Sequence, residues 1–165
     1  MVFKKIKKSI LIVGEGPTEK AFLQYLKELY VTRVDDFFVK IECGAGGSPD
    51  CVIKKAKRLC ANSAYDECFV LIDNDRKVHK HDKKIKILLS TPCIEGLFLM
   101  ILEHPKFSQV NALSDFCKKE FERNYLSDDK KMDKHYYSGI FPREVFDEQR
   151  KNIPELEEIL KAMRV

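Results

Sequence analysis

A chain of 165 residues, 44% hydrophobic and 34% charged, is long enough to bury a genuine core and too apolar for the disordered class. Its formal charge of +4 is too mild to prove a nucleic-acid partner, since phosphate binding depends on where basic side chains cluster. Six cysteines, at 43, 51, 60, 68, 93 and 117, form no C-x-x-C pair and meet no histidine at zinc-finger spacing, which argues against a structural zinc site and for buried free thiols. No apolar leader follows Phe3, and the longest apolar run is Leu97 to Leu102. The chain therefore reads as cytoplasmic, outside any membrane, with its thiols reduced.

Ser9-Ile-Leu-Ile-Val-Gly14 is a short apolar run ended by glycine, and Gly16-Pro17-Thr18 opens a helical periodicity at Ala21, Phe22, Tyr25, Leu26 and Leu29. A strand, a tight turn and a helix are predicted there in that order. Phe37 to Glu42 predicts a second strand, Gly44 to Pro49 its loop, and Asp50 to Asn62 a helix with Val52, Ile53, Ala56, Leu59 and Cys60 inward. Cys68 to Asp73 is almost continuously apolar, as a strand covered by helices on both faces is. A charged segment, Arg76 to Lys86, leads into a fourth strand at Ile85 to Ser90. Thr91 as cap and Pro92 at the first helical position then start a helix through Leu97, Phe98, Ile101 and Leu102,.

Beyond His104-Pro105 the sequence turns polar, with helices predicted over Ala112 to Asn124, Pro142 to Lys151 and Pro154 to Met163 and no strand. The charged connector Ser127 to Lys134 reads as a solvated segment. Strands alternating with helices predict an α/β fold: a mostly parallel four-stranded sheet flanked by helices, joined by right-handed crossovers, with a helical C-terminal region.

In such a sheet ligands gather beyond the C-terminal ends of the strands, and the residues there are acidic. Glu15 follows the first strand, Asp73 and Asp75 close the third, and Glu95 lies shortly after the fourth. If the chain stays extended through Asp73 and Asp75, their side chains lean to one side and share an ion. A hard cation such as Mg²⁺ takes oxygen ligands and reverses the repulsion that bare carboxylates exert on a phosphate. The plainer alternative is an Asp-Asn-Asp turn that merely ends a strand.

Gly14-Glu15-Gly16-Pro17-Thr18-Glu19-Lys20 fails as a phosphate loop, lacking the glycine before lysine and the Ser/Thr after it,. It fails as G-x-G-x-x-G too, because Glu19 stands in the third glycine's place. The glycines instead let the backbone turn sharply and leave the Glu15 carboxylate open to the cleft. Glu19 and Glu95 each read two ways, as companions in the metal cleft or as first-turn acids that favour the helix dipole. His104, nine residues after Glu95 on the same predicted helix, reads as a proton carrier or as a helix C-cap. Arg76, Lys77, Lys80, Lys83, Lys84 and Lys86 put six basic residues into eleven. That tract is either a solvated face or a grip on a polyanion over the ion. His79, His81 and His135 read as surface residues, and Lys4, Lys5, Lys7 and Lys8 as a basic tract at the opposite strand ends.

Three blocks in order resemble the Toprim domain and, within it, the RloB-like proteins: Ile10-Leu-Ile-Val-Gly-Glu15-Gly-Pro-Thr-Glu19, Leu71-Ile-Asp73-Asn-Asp75-Arg76, and Ser90-Thr-Pro-Cys-Ile-Glu95 through His104. The resemblance spans roughly residues 9 to 104 and departs from the family pattern at Gly96, where a bulky residue is expected. It implies a Toprim-like, Rossmann-like α/β domain over residues 1–105, with 106–165 a helical extension packed on it. It also implies an acidic triad of Glu15, Asp73 and Asp75 holding Mg²⁺ or Mn²⁺, with Glu19 and Glu95 beside it. The implied activity is metal-dependent hydrolysis of DNA or RNA in a phage-defence or restriction-associated locus, in some relatives with a partner ATPase. A receiver-like phosphoacceptor would need an acidic pair after the first strand and a lysine after a fifth, and neither is present. A haloacid-type phosphatase would carry its D-x-D after the first strand. The rival from another class is a non-catalytic nucleic-acid-binding or regulatory module.

Overall fold

The computed structural model describes residues 7–44, 46–79, 82–108 and 112–165. Four parallel strands, β1 (Lys8–Gly14), β2 (Phe37–Cys43), β3 (Glu67–Asp73) and β4 (Ile85–Ser90), form one sheet in the order β2-β1-β3-β4. Strands β1 and β3 are central, and this is why they read as continuous apolar runs: alternate residues face two different cores. Ile10, Ile12, Phe69 and Leu71 point to one face, and Leu11, Val13, Cys68, Val70 and Ile72 to the other.

The first face is covered by α1 (Pro17–Tyr30), α3 (Ile94–Ile101), α4 (Ser114–Asn124), α6 (Arg143–Gln149) and α7 (Pro154–Ala162), all contributing to one hydrophobic cluster. Phe22 is its hub, fully buried, with ring centroids of Phe98, Tyr137, Phe141 and Phe146 4.9 to 6.3 Å away. Burying one such ring stabilises the fold by about 1.5–3 kcal/mol. Tyr25 Oη donates to the Phe141 carbonyl at 2.6 Å, so α1 is tied to the C-terminal segment by polar as well as apolar contacts.

Among the described residues the second face carries one helix, α2 (Pro49–Ser63), over Leu11, Val13, Val70 and Ile72. A doubly wound sheet would place another helix in the β3–β4 crossover, but the described residues of that crossover form turns and no helix. On this face β4 is therefore covered progressively less along its length: Ile85 is buried, Ile87 half-buried, and Leu89 36% exposed.

Several expectations are corrected. Pro92 does not begin α3; the Thr91–Pro92 peptide bond is cis, and Cys93 is the N-cap. Gly96 packs on that turn: a Cβ there would stand 2.6 Å from Pro92 Cδ, which is why no bulky residue occupies the position. The connector at 127–134 is not merely solvated, since α5 (Asp128–Lys131) forms within it and buries Lys131, and a 3₁₀ helix follows at Lys134–Gly139. Cys60 and Cys68 form a disulfide between α2 and β3, so these two are not the reduced thiols expected. Among the described residues no helix is long and apolar enough to cross a membrane.

Candidate functional site

Parallel register delivers the strand ends together. Gly14 pairs with Leu71 and Asp73 with Ser90. Glu15 N extends the ladder by donating to Leu71 O at 2.9 Å, and the Glu15 carboxylate in turn accepts from Asp73 N at 3.1 Å. Asp73 Oδ1 accepts from Ser90 Oγ at 2.9 Å and from Ile94 N at 3.0 Å. One carboxylate thus ties the end of β4 to the first backbone donor of α3, where a negative group is favoured.

Glu19 is buried in the first turn of α1, where its Oε2 accepts from Gly16 N at 2.8 Å. A Cβ on Gly14 would meet Glu19 Cβ at 2.8 Å and Lys20 N at 3.0 Å. Gly14 is needed for close approach of α1 to the strand end, and neither it nor Gly16 has a positive φ. Glu95, 2% exposed in the first turn of α3, accepts from Lys131 Nζ at 2.7 Å through Oε1, while its buried Oε2 has no partner among the described residues.

Glu15, Glu19, Asp73 and Glu95 act on one another electrostatically. Burial is the largest influence on Asp73 and the fields of Glu19, Glu15 and Glu95 add to it, so its pKa rises to about 8 despite the Ser90 hydrogen bond. Burial, helped by the fields of Glu95 and Glu15 and opposed by its backbone hydrogen bonds, likewise lifts Glu19 to about 7. Lys131 is a buried counter-charge, and half-buried Lys118 also feels Glu95, Asp73 and Asp75. Desolvation alone would depress the Lys131 pKa, but hydrogen bonds to Glu122 and Glu95 and nearby negative charge outweigh that and hold it above the ordinary lysine value.

The remaining predicted residues divide. Asp75 lies beyond the end of β3 in a turn, exposed, with its Oδ2 accepting from Ser114 Oγ at 2.5 Å. The extended Asp73–Asp75 geometry is therefore not what the chain adopts. Arg76 and Lys77 are exposed beside Asp75, and Arg76 also donates to Gly47 O at 3.3 Å. Lys83 and Lys84 precede β4, whose Ile85 pairs with Cys68, five residues before Asp73. At about 3.3 Å per residue that is roughly 17 Å from the acidic end, so they belong to the opposite edge. Lys80 and His81 lie outside the described residues, as do Lys4 and Lys5. His104 is not on α3, which ends at Ile101; its ring bonds Tyr125 Oη at 3.0 Å and Glu120 at 3.2 Å instead.

Lys131 and Ser114 were not legible as site residues. Each lies in the C-terminal region, and no local spacing points from them to a strand end.

Among the described residues no three His, Cys, Asp or Glu side chains converge closely enough to hold one ion. Mg²⁺ makes no such demand, since one or two carboxylates with waters and substrate phosphate suffice. The donor set fits a hard cation: it is all oxygen, it is mutually repulsive, and it leaves Glu95 Oε2 buried and unpartnered.

A family model described as RloB-like protein matches residues 10–164. No curated protein and no solved structure matches the chain.

Proposed function

The chain belongs to the RloB-like family, and on that premise we propose that it is a metal-dependent nuclease of the Toprim type, hydrolysing phosphodiester bonds of DNA or RNA in phage defence or a restriction-associated system. The observation that carries this reading is the gathering of Glu15, Glu19, Asp73 and Glu95 at the C-terminal end of a parallel sheet, where α/β proteins bind their ligands,. Structural carboxylates are ordinarily paired with cations. Here buried Lys131 and half-buried Lys118 face four acids, and among the described residues one buried carboxylate oxygen, Glu95 Oε2, has no partner.

In this reading Glu15 and Asp73 hold Mg²⁺ or Mn²⁺, with Asp75 at the rim and Glu19 behind them. The ion supplies neutralisation of the phosphoryl oxygens and a more acidic water. The chain's own residues supply the rest. Ser90 and the α3 backbone orient the Asp73 carboxylate, Lys131 holds Glu95 in place, and Arg76 and Lys77 meet the phosphate backbone outside the cleft. A partner ATPase of the kind some Toprim effectors use would act on this same cleft.

The rival reading, a non-catalytic nucleic-acid-binding or regulatory module, draws on the structural work these acids already perform: Asp73 caps α3 and Glu19 caps α1. Incubation with plasmid, single-stranded DNA and tRNA under Mg²⁺ and Mn²⁺ separates the two. Cleavage is expected from the wild type and none from Asp73→Asn with Asp75→Asn, circular dichroism showing the variant folded. No cleavage of any substrate, together with no metal binding by calorimetry, sinks the nuclease reading.

A further inference from the structure

The crossover from β3 to β4 leaves a groove where a helix would otherwise lie. It encloses about 540 Å³, within the range of sites that take a small ligand. Its apolar lining is Ile87 and Leu89 on the thinly covered face of β4 together with Val78, and Arg76, Lys77 and His79 line it as well. Asn74 and Asp75, the two residues that follow Asp73, also line it.

We propose that this groove takes an unpaired nucleobase of the nucleic-acid substrate, with Arg76 and Lys77 on the adjoining phosphates. The inference rests on the nuclease reading and adds to it the substrate class: single-stranded or locally unpaired nucleic acid. Two arguments select that occupant. The lining carries basic side chains, and Arg76 keeps guanidinium donors in excess of the one directed to Gly47 O,, which suits a polyanion. The apolar lining is aliphatic, and a base can cover it only with its planar face. In a duplex those faces are stacked on neighbouring pairs, and only edges reach a protein; in single strands and extruded nucleotides they are free to lie on apolar side chains.

The test is fluorescence anisotropy in EDTA, so that nothing is cleaved, with a labelled single strand, its duplex, and the same strand without bases. Leu89 is partly exposed, so a polar replacement leaves the fold nearly unaffected,. Leu89→Gln is expected to weaken single-strand binding by about fivefold or more and to leave the abasic strand unchanged. Leu89→Phe restores or tightens single-strand binding, and Lys77→Ala weakens both strands. Equal effects of Leu89→Gln on the strands with and without bases, or tighter wild-type binding of duplex than of single strand, overturn the groove reading and leave the nuclease reading standing. Failure of the wild type to bind the single strand both in EDTA and with Ca²⁺ in its place, which neutralises the carboxylates, also overturns the groove reading, and the separate cleavage assay decides whether the nuclease reading falls with it.

Discussion

Replacing Lys131 with methionine tests the electrostatic frame of the site. The ammonium is hydrogen-bonded at 2.7 Å to Glu95, and the two side chains are 6% and 3% exposed. Its other partners, Glu122 and Asp128, are 34% and 74% exposed, and pairs of that kind contribute only about 0–1 kcal/mol. The Glu95 pair therefore sets the size of the effect. Removing one member of a buried pair costs about 3–5 kcal/mol. We expect Lys131→Met to lose about 3–4 kcal/mol, or roughly 7–15 °C in Tm for a chain of this length. Adding Glu95→Gln should recover most of the loss. Urea denaturation of the four proteins in this double-mutant cycle decides it. A loss under about 1 kcal/mol for Lys131→Met, or strict additivity of the two substitutions, would refute the reasoning.

Two further outcomes follow from the same geometry. Metal-free, Glu19 and Asp73 keep their protons up to about pH 7 and 8, and a cation must displace them, so Mg²⁺ affinity measured by calorimetry should rise from about pH 6 to about pH 9 with proton release on binding. The linkage has a second face: both folded-state values lie above the ordinary 4.5 and 3.8, so the metal-free protein loses stability as pH climbs from about 4 to about 8, and Mg²⁺ should flatten the decline; an affinity indifferent to pH contradicts both. For Gly96→Ala, the added Cβ meets Pro92 Cδ at 2.6 Å and Thr91 O at 2.9 Å, an overpacking of about 1–3 kcal/mol against a helix-propensity gain of up to about 1 kcal/mol. Gly139→Ala, with no atom within 4 Å, is the near-neutral control, and equal denaturation midpoints for the two variants would disprove the contact.

The four strands were legible because each is an apolar run of the right length, and β4 has the bounds the sequence predicts. Glu15, Asp73, Glu19 and Glu95 were legible as neighbours for a topological reason, since parallel strands bring their C-terminal ends to one edge. What failed depends on tertiary direction. Lys83 and Lys84 follow Asp73 closely in sequence, yet the chain crosses the whole sheet between them. His104 keeps a helical spacing from Glu95, but Glu103 adopts a positive φ of 51° and the helix has already ended. Lys131 sits in a run of charges whose usual fate is solvent, and only the pairing across 36 positions shows that it is buried. Cys60 and Cys68 lie eight residues apart, one on a helix and one on a strand, a spacing that by itself specifies no bond.

Ser114 and Lys131 reach Asp75 and Glu95 from beyond residue 105, and the cluster around Phe22 draws five of its aromatic rings from Phe98, Phe121, Tyr137, Phe141 and Phe146. A fragment ending at 105 would lose both polar supports and four of those five rings. The acidic cleft is thus not a portable cassette onto which later helices were added. Substitutions near residues 114 and 131 should covary with those near 75 and 95 among family members, and a chimera that exchanges only the N-terminal portion between relatives should inherit a mismatched site.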